Sequence, residues 1–241
     1  MISVGITGQS GFVGTHLFNA LGEQPNEFLR VPFEDAFFED EQKLRSFVKQ
    51  CDVIVHLAAM MRSPIEGEVY KVNMRLIRQL IDAMNVENVN PCILFSSSIQ
   101  ECNGSEYGRC KKEGREMLEY WAKEHCTGFT GIVFPNLFGP GARPNAHSFI
   151  ATFCYKLNHE ETPQIIVDNI VPLKYIGSLI SEIIVLVKQV AIAKSINTIH
   201  IHPDYQLKVT EVLRVLEGFK QGMSPRNKVE SELLETFNSY K

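Results

Sequence analysis

The sequence lacks most of what would mark a secreted, fibrous or nucleic-acid-binding chain. Its 241 residues include a single tryptophan and six cysteines, Cys51, Cys92, Cys102, Cys110, Cys126 and Cys154, with no C-x-x-C pair among them. Scattered cysteines in a chain of this size read as free thiols in a reducing compartment, so the cytoplasm is the expected location. There is no excess of base: 24 Lys and Arg stand against 28 Asp and Glu, a net charge of −4. Nucleic acids and anionic membranes both need a basic face, so neither is an expected partner. No apolar run approaches the ~20 residues of a membrane span, and no basic leader precedes Ile2, so no signal peptide is expected. Repeats and low-complexity segments are absent too. His200 and His202 alternate in a strand-like run, but no third ligand follows at a sensible spacing, so no metal is expected. What remains is ordinary globular composition, 44% apolar and 22% charged, at a length for one large domain.

Strand-like and helix-like patterns alternate. Strands are predicted at residues 2–7, 27–31, 52–57, 92–95 and 128–134, and helices at 13–21, 41–50, 68–84 and 107–125. Alternation of this kind implies right-handed βαβ units and a doubly wound parallel sheet. Beyond Pro135 the texture changes. Gly139, Pro140, Gly141 and Pro144 make 136–144 a loop. Next come a helix at 148–157, short strands at 164–167 and 173–175, a helix at 178–190, a strand at 198–202, and helices from 210 and 228. The expected organisation is one α/β structural domain: a nucleotide-binding core over 1–135 and a small, interleaved C-terminal substrate-binding lobe over 136–241.

Between the first strand and the first helix stands Thr7-Gly8-Gln9-Ser10-Gly11-Phe12-Val13-Gly14. In this context a glycine-rich run is a dinucleotide fingerprint. Gly8 permits the tight turn, Gly11 lets backbone approach a pyrophosphate, Gly14 allows close helix packing, and the helix N-terminus offers N–H donors. Ser10, Phe12 and Val13 complete the turn. The end of the second strand then selects NAD or NADP. Glu34 and Asp35, about 20 residues on, suit the free ribose hydroxyls of NAD, whereas Arg30 is available to pair with a 2′-phosphate.

Tyr107 and Lys111 lie at i and i+4 and share a helix face. A phenol of pKa ~10 is a poor acid–base group at neutral pH, and an ammonium close by is expected to lower it. Lys111 can also hold the nicotinamide ribose. Ser96, Ser97 and Ser98 end a parallel strand, where such sheets bind ligands. The Ser98 hydroxyl can bond a carbonyl oxygen that Tyr107 protonates while the cofactor delivers hydride. The catalytic candidates are therefore Ser98, Tyr107 and Lys111.

Taken in order, Thr7–Gly14, His56-Leu57-Ala58-Ala59, Asn73, Ser96–Ser98, Tyr107 with Lys111, and Pro135-Asn136-Leu137-Phe138-Gly139 resemble the marks of the extended short-chain dehydrogenase/reductases, the NAD-dependent epimerase/dehydratase family. The resemblance covers residues 1–190 and implies a Rossmann-type fold. Within it, Ser96-Ser97-Ser98-Ile99-Gln100, Arg143-Pro144-Asn145 and Ile150-Ala151-Thr152-Phe153-Cys154-Tyr155-Lys156 are similar to the reductase domain of bifunctional capsular-polysaccharide UDP-sugar reductase/epimerases. That likeness implies NADPH-dependent reduction of a C4 ketone on a UDP-linked deoxyhexulose, in the synthesis of a surface polysaccharide precursor. It also implies Leu57, Ala58, Ala59, Asn73, Ser96 and Pro135 at the cofactor, Arg62 near its phosphates, and Asn136, Arg143 and Asn145 toward the nucleotide sugar. On balance the cofactor expectation leans to NADP over NAD. Two departures stand out: Val133 occupies the place of a usual arginine, and Gly177-Ser178 follow Tyr175-Ile176 where the family has an aspartate. Relatives of this kind continue into a metal-binding cupin domain, which implies that C3 epimerisation comes from a separate cupin-type epimerase as partner or from a further domain beyond residue 241. The two long helices either form a homodimer's four-helix interface, as the family does, or both pack on the sheet. The alternatives to a reductase are an NAD-dependent nucleotide-sugar 4-epimerase and a non-catalytic NAD(P)-sensing protein.

Overall fold

The computed structural model describes residues 1–146 and 148–241. The chain divides into two compact units, residues 1–134 with 180–201 and residues 135–179 with 202–241.

The first unit is a six-stranded sheet formed by β1 (Ile2–Thr7), β2 (Phe28–Val31), β3 (Val53–His56), β4 (Cys92–Ser98), β5 (Phe129–Phe134) and β8 (Ile196–His200), in the order β2-β1-β3-β4-β5-β8. Every neighbouring pair runs parallel. This is the doubly wound α/β fold. β3, β4 and β5 are buried on both faces almost throughout, as strands covered by helices must be, with apolar runs that give way to His56 and to Ser96–Ser98 at the ends of β3 and β4. The covering helices are α1 (Phe12–Gly22), α2 (Glu41–Lys49), α3 (Glu68–Glu87), α4 (Glu106–Glu124) and α6 (Ile176–Ala193). Strand alternation divides them between the faces. Ile93 and Phe95 join Leu44, Phe47, Met74, Ile77, Leu80, Leu118 and Trp121 in one cluster, whereas Cys92 donates its Sγ–H to the Val190 carbonyl of α6 at 3.5 Å.

Strand order reverses between β1 and β3, which creates the crevice where open α/β sheets bind ligands. Register aligns the three strands that flank it: Thr7 pairs with His56, and His56 with Phe95. β4 runs on to Ser98, paired with Phe134.

The second unit contains a three-stranded sheet, β6 (Asn136–Phe138), β7 (Ile170–Tyr175) and β9 (Tyr205–Lys208), in the order β6-β7-β9, with β6 parallel and β9 antiparallel to β7. α5 (Phe149–Asn158), α7 (Val209–Lys220) and α8 (Lys228–Asn238) pack around Phe138, Phe153, Leu173, Leu216, Leu233 and Phe237. A buried ion pair also holds β7: Lys174 Nζ lies 2.7 Å from Asp204 Oδ1, and the Tyr175 N–H donates to Asp204 Oδ2 at 3.0 Å.

Several sequence expectations are corrected. The run 136–144 is not all loop, because Asn136–Phe138 joins β7. Residues 164–167 form no strand, and Ile166 and Val167 are exposed with no neighbouring strand to pair. His202 lies beyond β8, which ends at His200, so the two histidines do not share a strand. One helix does reach membrane length: α6 is long and apolar enough by length and composition. Its Ile183, Val187 and Val190 form a fully buried stripe at helical spacing, the pattern of a core helix.

Candidate functional site

The glycine turn leaves β1 at the crevice. Gly8 has φ +71°, and a Cβ there would lie 2.8 Å from the backbone of Ala58, so the turn touches the segment after β3. A Cβ on Gly14 would collide with the Gly8 carbonyl, which lets the first turn of α1 close onto the loop. The N-cap of α1 is Gly11, which has no side chain to occupy the helix N-terminus. The result is a backbone cradle at a positive dipole end, just large enough only because three side chains are missing. It fits a pyrophosphate, and hence a dinucleotide.

Ser10 Oγ donates to Asp35 Oδ2 at 2.8 Å, and the Phe33 N–H donates to Gln9 Oε1 at 3.0 Å. The turn is thereby tied to the segment after β2, which places the acidic Asp35, beside Glu34, where an adenosine ribose would lie. Arg30 is not brought there. Its guanidinium donates to the Phe18 carbonyl at 3.2 Å and lies over the Phe18 ring at 4.4 Å, in the body of α1. The reason is register: Arg30 pairs with Val4, well short of the end of β1, so its side chain runs along the helix.

A string of hydrogen bonds crosses the strands to α4. Thr7 Oγ1 and His56 Nδ1 share one at 2.7 Å; Ser96 Oγ donates to the His56 carbonyl at 3.2 Å; Lys111 Nζ donates to Ser96 O at 2.7 Å and Ser96 Oγ at 3.2 Å. Burial, with the Lys111 charge adding to it, lowers His56 to about 3, so its imidazole is neutral. Sequence reading did not single His56 out, although a histidine ending a wholly apolar strand was the available signal.

Lys111 is buried, and its Nζ sits 4.9 Å from the Phe95 ring centroid and 5.6 Å from that of Tyr107. Burial brings its ammonium down to about 8, while Cys110 and Glu101 work upward. Tyr107 does not behave as expected. Burial, with Cys110 adding to it, pushes the phenol above its ordinary value. Lys111 directs two of its three N–H donors to Ser96.

The Asn73 side chain is a clamp: it accepts from the Met60 N–H and donates to the Met60 carbonyl, both at 2.8 Å, and donates to Cys110 Sγ at 3.3 Å. It thus fixes the Leu57, Ala58, Ala59 segment against α3 and α4, with Arg62 exposed just beyond. Ser98 caps a short 3₁₀ turn, Ile99–Cys102, with its Oγ accepting from the Gln100 N–H at 3.2 Å. That bond leaves the hydroxyl proton to be donated elsewhere. Gly108 abuts the Gln100 carbonyl so closely that a Cβ would clash, which seats the first turn of α4, and Tyr107 with it, beside Ser98.

Pro135, Asn136, Arg143 and Asn145 belong to the second unit. Asn136 Nδ2 donates to the Pro172 carbonyl at 3.3 Å. Asn145 adopts φ +59°, and its N–H donates to Thr152 Oγ1 at 2.8 Å. Arg143 is exposed. Among the described residues, no three His, Cys, Asp or Glu side chains gather as metal ligands.

Comparison with known proteins gives the same outline. Over 221 residues the chain is 30% identical to the UDP-2-acetamido-2,6-beta-L-arabino-hexul-4-ose reductase of Pseudomonas aeruginosa, covering 89% of this chain and 57% of that protein. Its structure is similar to the capsular polysaccharide assembling protein CapF from Staphylococcus aureus, with a TM-score of 0.80 and 29% identity over 99% of this chain and 65% of that one. The chain thus spans less than two thirds of either relative. A UDP-glucose 4-epimerase from Thermotoga maritima shares the fold at a TM-score of 0.81 and 17% identity, covering 99% of this chain and 98% of that one. Residues 4–189 match the NAD dependent epimerase/dehydratase family, and the chain belongs to that family.

Proposed function

We propose that this chain reduces the C4 ketone of a UDP-linked 4-keto-6-deoxyhexose with a nicotinamide cofactor. The observation that carries this reading is the Lys111 ammonium held on Ser96 at the ends of β3 and β4, with Tyr107 one helical turn away and the glycine cradle across the crevice. The bound cofactor would supply hydride. The chain's own residues do the rest. Ser98 donates a hydrogen bond to the ketone oxygen and holds it still, keeping its own proton, and Tyr107 gives the proton that completes the alcohol. Lys111 and the N-terminus of α1 bind and orient the dinucleotide, and Asn73 keeps the Ala58–Ala59 backbone in place beneath it.

An NAD-dependent 4-epimerase is the alternative at the same residues; burial works against the phenolate from which it would start. NAD(H) is the preferred cofactor on this reading, since Glu34 and Asp35 repel a 2′-phosphate and Arg30 is engaged elsewhere. Asn136, Arg143 and Asn145 serve the nucleotide sugar. The outer faces of α3 and α4 form a homodimer, and inversion at C3 belongs to a cupin-type epimerase activity, on a separate protein or a further domain.

The test is incubation of the chain with a UDP-4-keto-6-deoxyhexose and NADH or NADPH, followed by NMR of the product. Stoichiometric cofactor oxidation with a new C4 alcohol is expected, and Tyr107→Phe should lower kcat by ~10²–10⁴ with cofactor affinity nearly intact. Near-full activity of Tyr107→Phe would overturn the assignment.

A further inference from the structure

Between the candidate serines and α4 lies an ion pair that the proposed chemistry does not use. Glu101, in the 3₁₀ turn, receives Arg115 bidentately: Nε meets Oε1 at 3.0 Å and Nη2 meets Oε2 at 3.0 Å. Both side chains are largely shielded, with 12% and 16% exposure. Ser97 Oγ donates to the same Glu101 carboxylate. Burial works to raise the Glu101 pKa, but Arg115 and Ser97 outweigh it and hold the carboxyl below its ordinary value, with His200 of β8 also facing it. The sheet makes room for this arrangement: a Cβ on Gly131 of β5 would lie 2.7 Å from the Arg115 stem. One carboxylate therefore joins β4, the turn and α4.

What the carboxylate holds is the turn that aims the site. Ser97 stands between Ser96, which anchors Lys111, and Ser98, which caps the turn. The Gln100 backbone is the contact point: its N–H reaches Ser98 Oγ, and its carbonyl receives the Asn103 N–H at 3.0 Å and abuts Gly108 next to Tyr107. If the turn shifts, Ser98 and the start of α4 shift with it.

We propose that Glu101, clamped by Arg115 and Ser97, is a positioning residue that sets the Ser98 hydroxyl and the Tyr107 helix start relative to one another. The inference rests on the Ser98, Tyr107 and Lys111 reading above. A misplacement of about 1 Å at a reacting group is enough to cost up to ~10²-fold in rate, so a detectable effect does not require the site to unfold.

Two readouts on the full chain test this. In amide hydrogen exchange, Gln100 and Asn103 should exchange at least ~10-fold faster in Glu101→Ala and in Arg115→Ala, with the middle of α4 unchanged. In turnover of the UDP-4-keto-6-deoxyhexose probe, both variants should lose ~10–100-fold in kcat with the cofactor KM within about twofold, and the double variant should be no worse than the poorer single. Glu101→Gln, which keeps the shape, should recover part of the loss. The control is Glu87→Ala, which breaks an ion pair between the C-terminal end of α3 and Arg45 of α2 (2.6 Å) and should change neither readout. Unchanged exchange at Gln100 and Asn103 in Glu101→Ala overturns the proposal, as does a loss of kcat equalled by Glu87→Ala. Should Tyr107→Phe also retain full activity, the catalytic reading itself falls; should only Glu101→Ala retain it, that reading stands and the positioning role alone is lost.

Discussion

His56 should make the first unit sensitive to mild acid. Its imidazole is buried between the Phe95 ring, stacked at 5.8 Å, and Phe38 at 6.4 Å, with Thr7 as hydrogen-bond partner and the Lys111 charge nearby. Folded, it titrates at about 3; unfolded, it returns to its ordinary 6.5. Between those values the unfolded chain binds a proton that the folded chain does not, so stability falls as pH drops through about 6.5 toward 3. At about pH 5 the unfolded imidazole is almost fully protonated and the folded one is not, which integrates to about 2 kcal/mol lost relative to pH 7.5. Urea unfolding at both pH values, followed by the fluorescence of Trp121, measures this. That tryptophan is the only one in the sequence and is buried in the same unit, with its Nε1–H donated to Asn85 Oδ1 at 2.8 Å. Carboxylates titrate over the same window, so the quantity of interest is the difference between wild type and His56→Asn. The variant should be weaker at neutral pH but lose about 2 kcal/mol less on acidification. Equal pH dependence in the two proteins, within about 0.5 kcal/mol, would refute a neutral buried His56.

Two further outcomes are expected. Calorimetry should find NADH bound at least ~10-fold more tightly than NADPH, with the gap narrowed in Glu34→Ala and Asp35→Ala, since like charge at a ribose phosphate costs ~1 kcal/mol or more in a partly shielded site; a preference for NADPH would reverse the cofactor reading. Asp204→Asn removes a carboxylate that holds both the buried Lys174 ammonium and the Tyr175 N–H, so amide protection along β7 and β9 should fall by about 1 kcal/mol or more; protection unchanged there would mean the ion pair contributes little to the second unit.

The first unit was legible because its central strands carry apolar runs and its helices keep a regular period. The run Val53-Ile54-Val55 can only be an interior strand, and Leu76, Leu80 and Met84 mark one face of α3. The second unit was less so. β7 carries Pro172 and Lys174, residues that argue against a strand until Asp204 is seen to neutralise the lysine, while β6 is three residues long and opens a glycine- and proline-rich stretch. At the site, the Tyr107–Lys111 spacing and the order of the motifs could be read directly. The direction of the Tyr107 shift could not, because it is decided by burial against a charge, and burial is a property of the packed sheet. Arg30 misled for a related reason: proximity in sequence to Glu34 says nothing about which way a strand residue leans along its neighbouring helix. Glu101 and Arg115 gave no signal at all, being fourteen positions apart in different elements.

The chain leaves the first unit after residue 134 and returns to it only for residues 180–201. During synthesis, therefore, β5 emerges from the ribosome without β8, and roughly 70 more residues must be added before its outer edge is paired; at about 5–20 residues per second that is roughly 4–14 s. Throughout that interval a mostly apolar strand, Phe129–Phe134, presents unpaired backbone to any other nascent chain nearby. Slower elongation over the intervening stretch, or a truncation anywhere between 134 and 201, should shift the yield from folded protein toward inclusion bodies, and chaperone supply rather than final stability should govern expression.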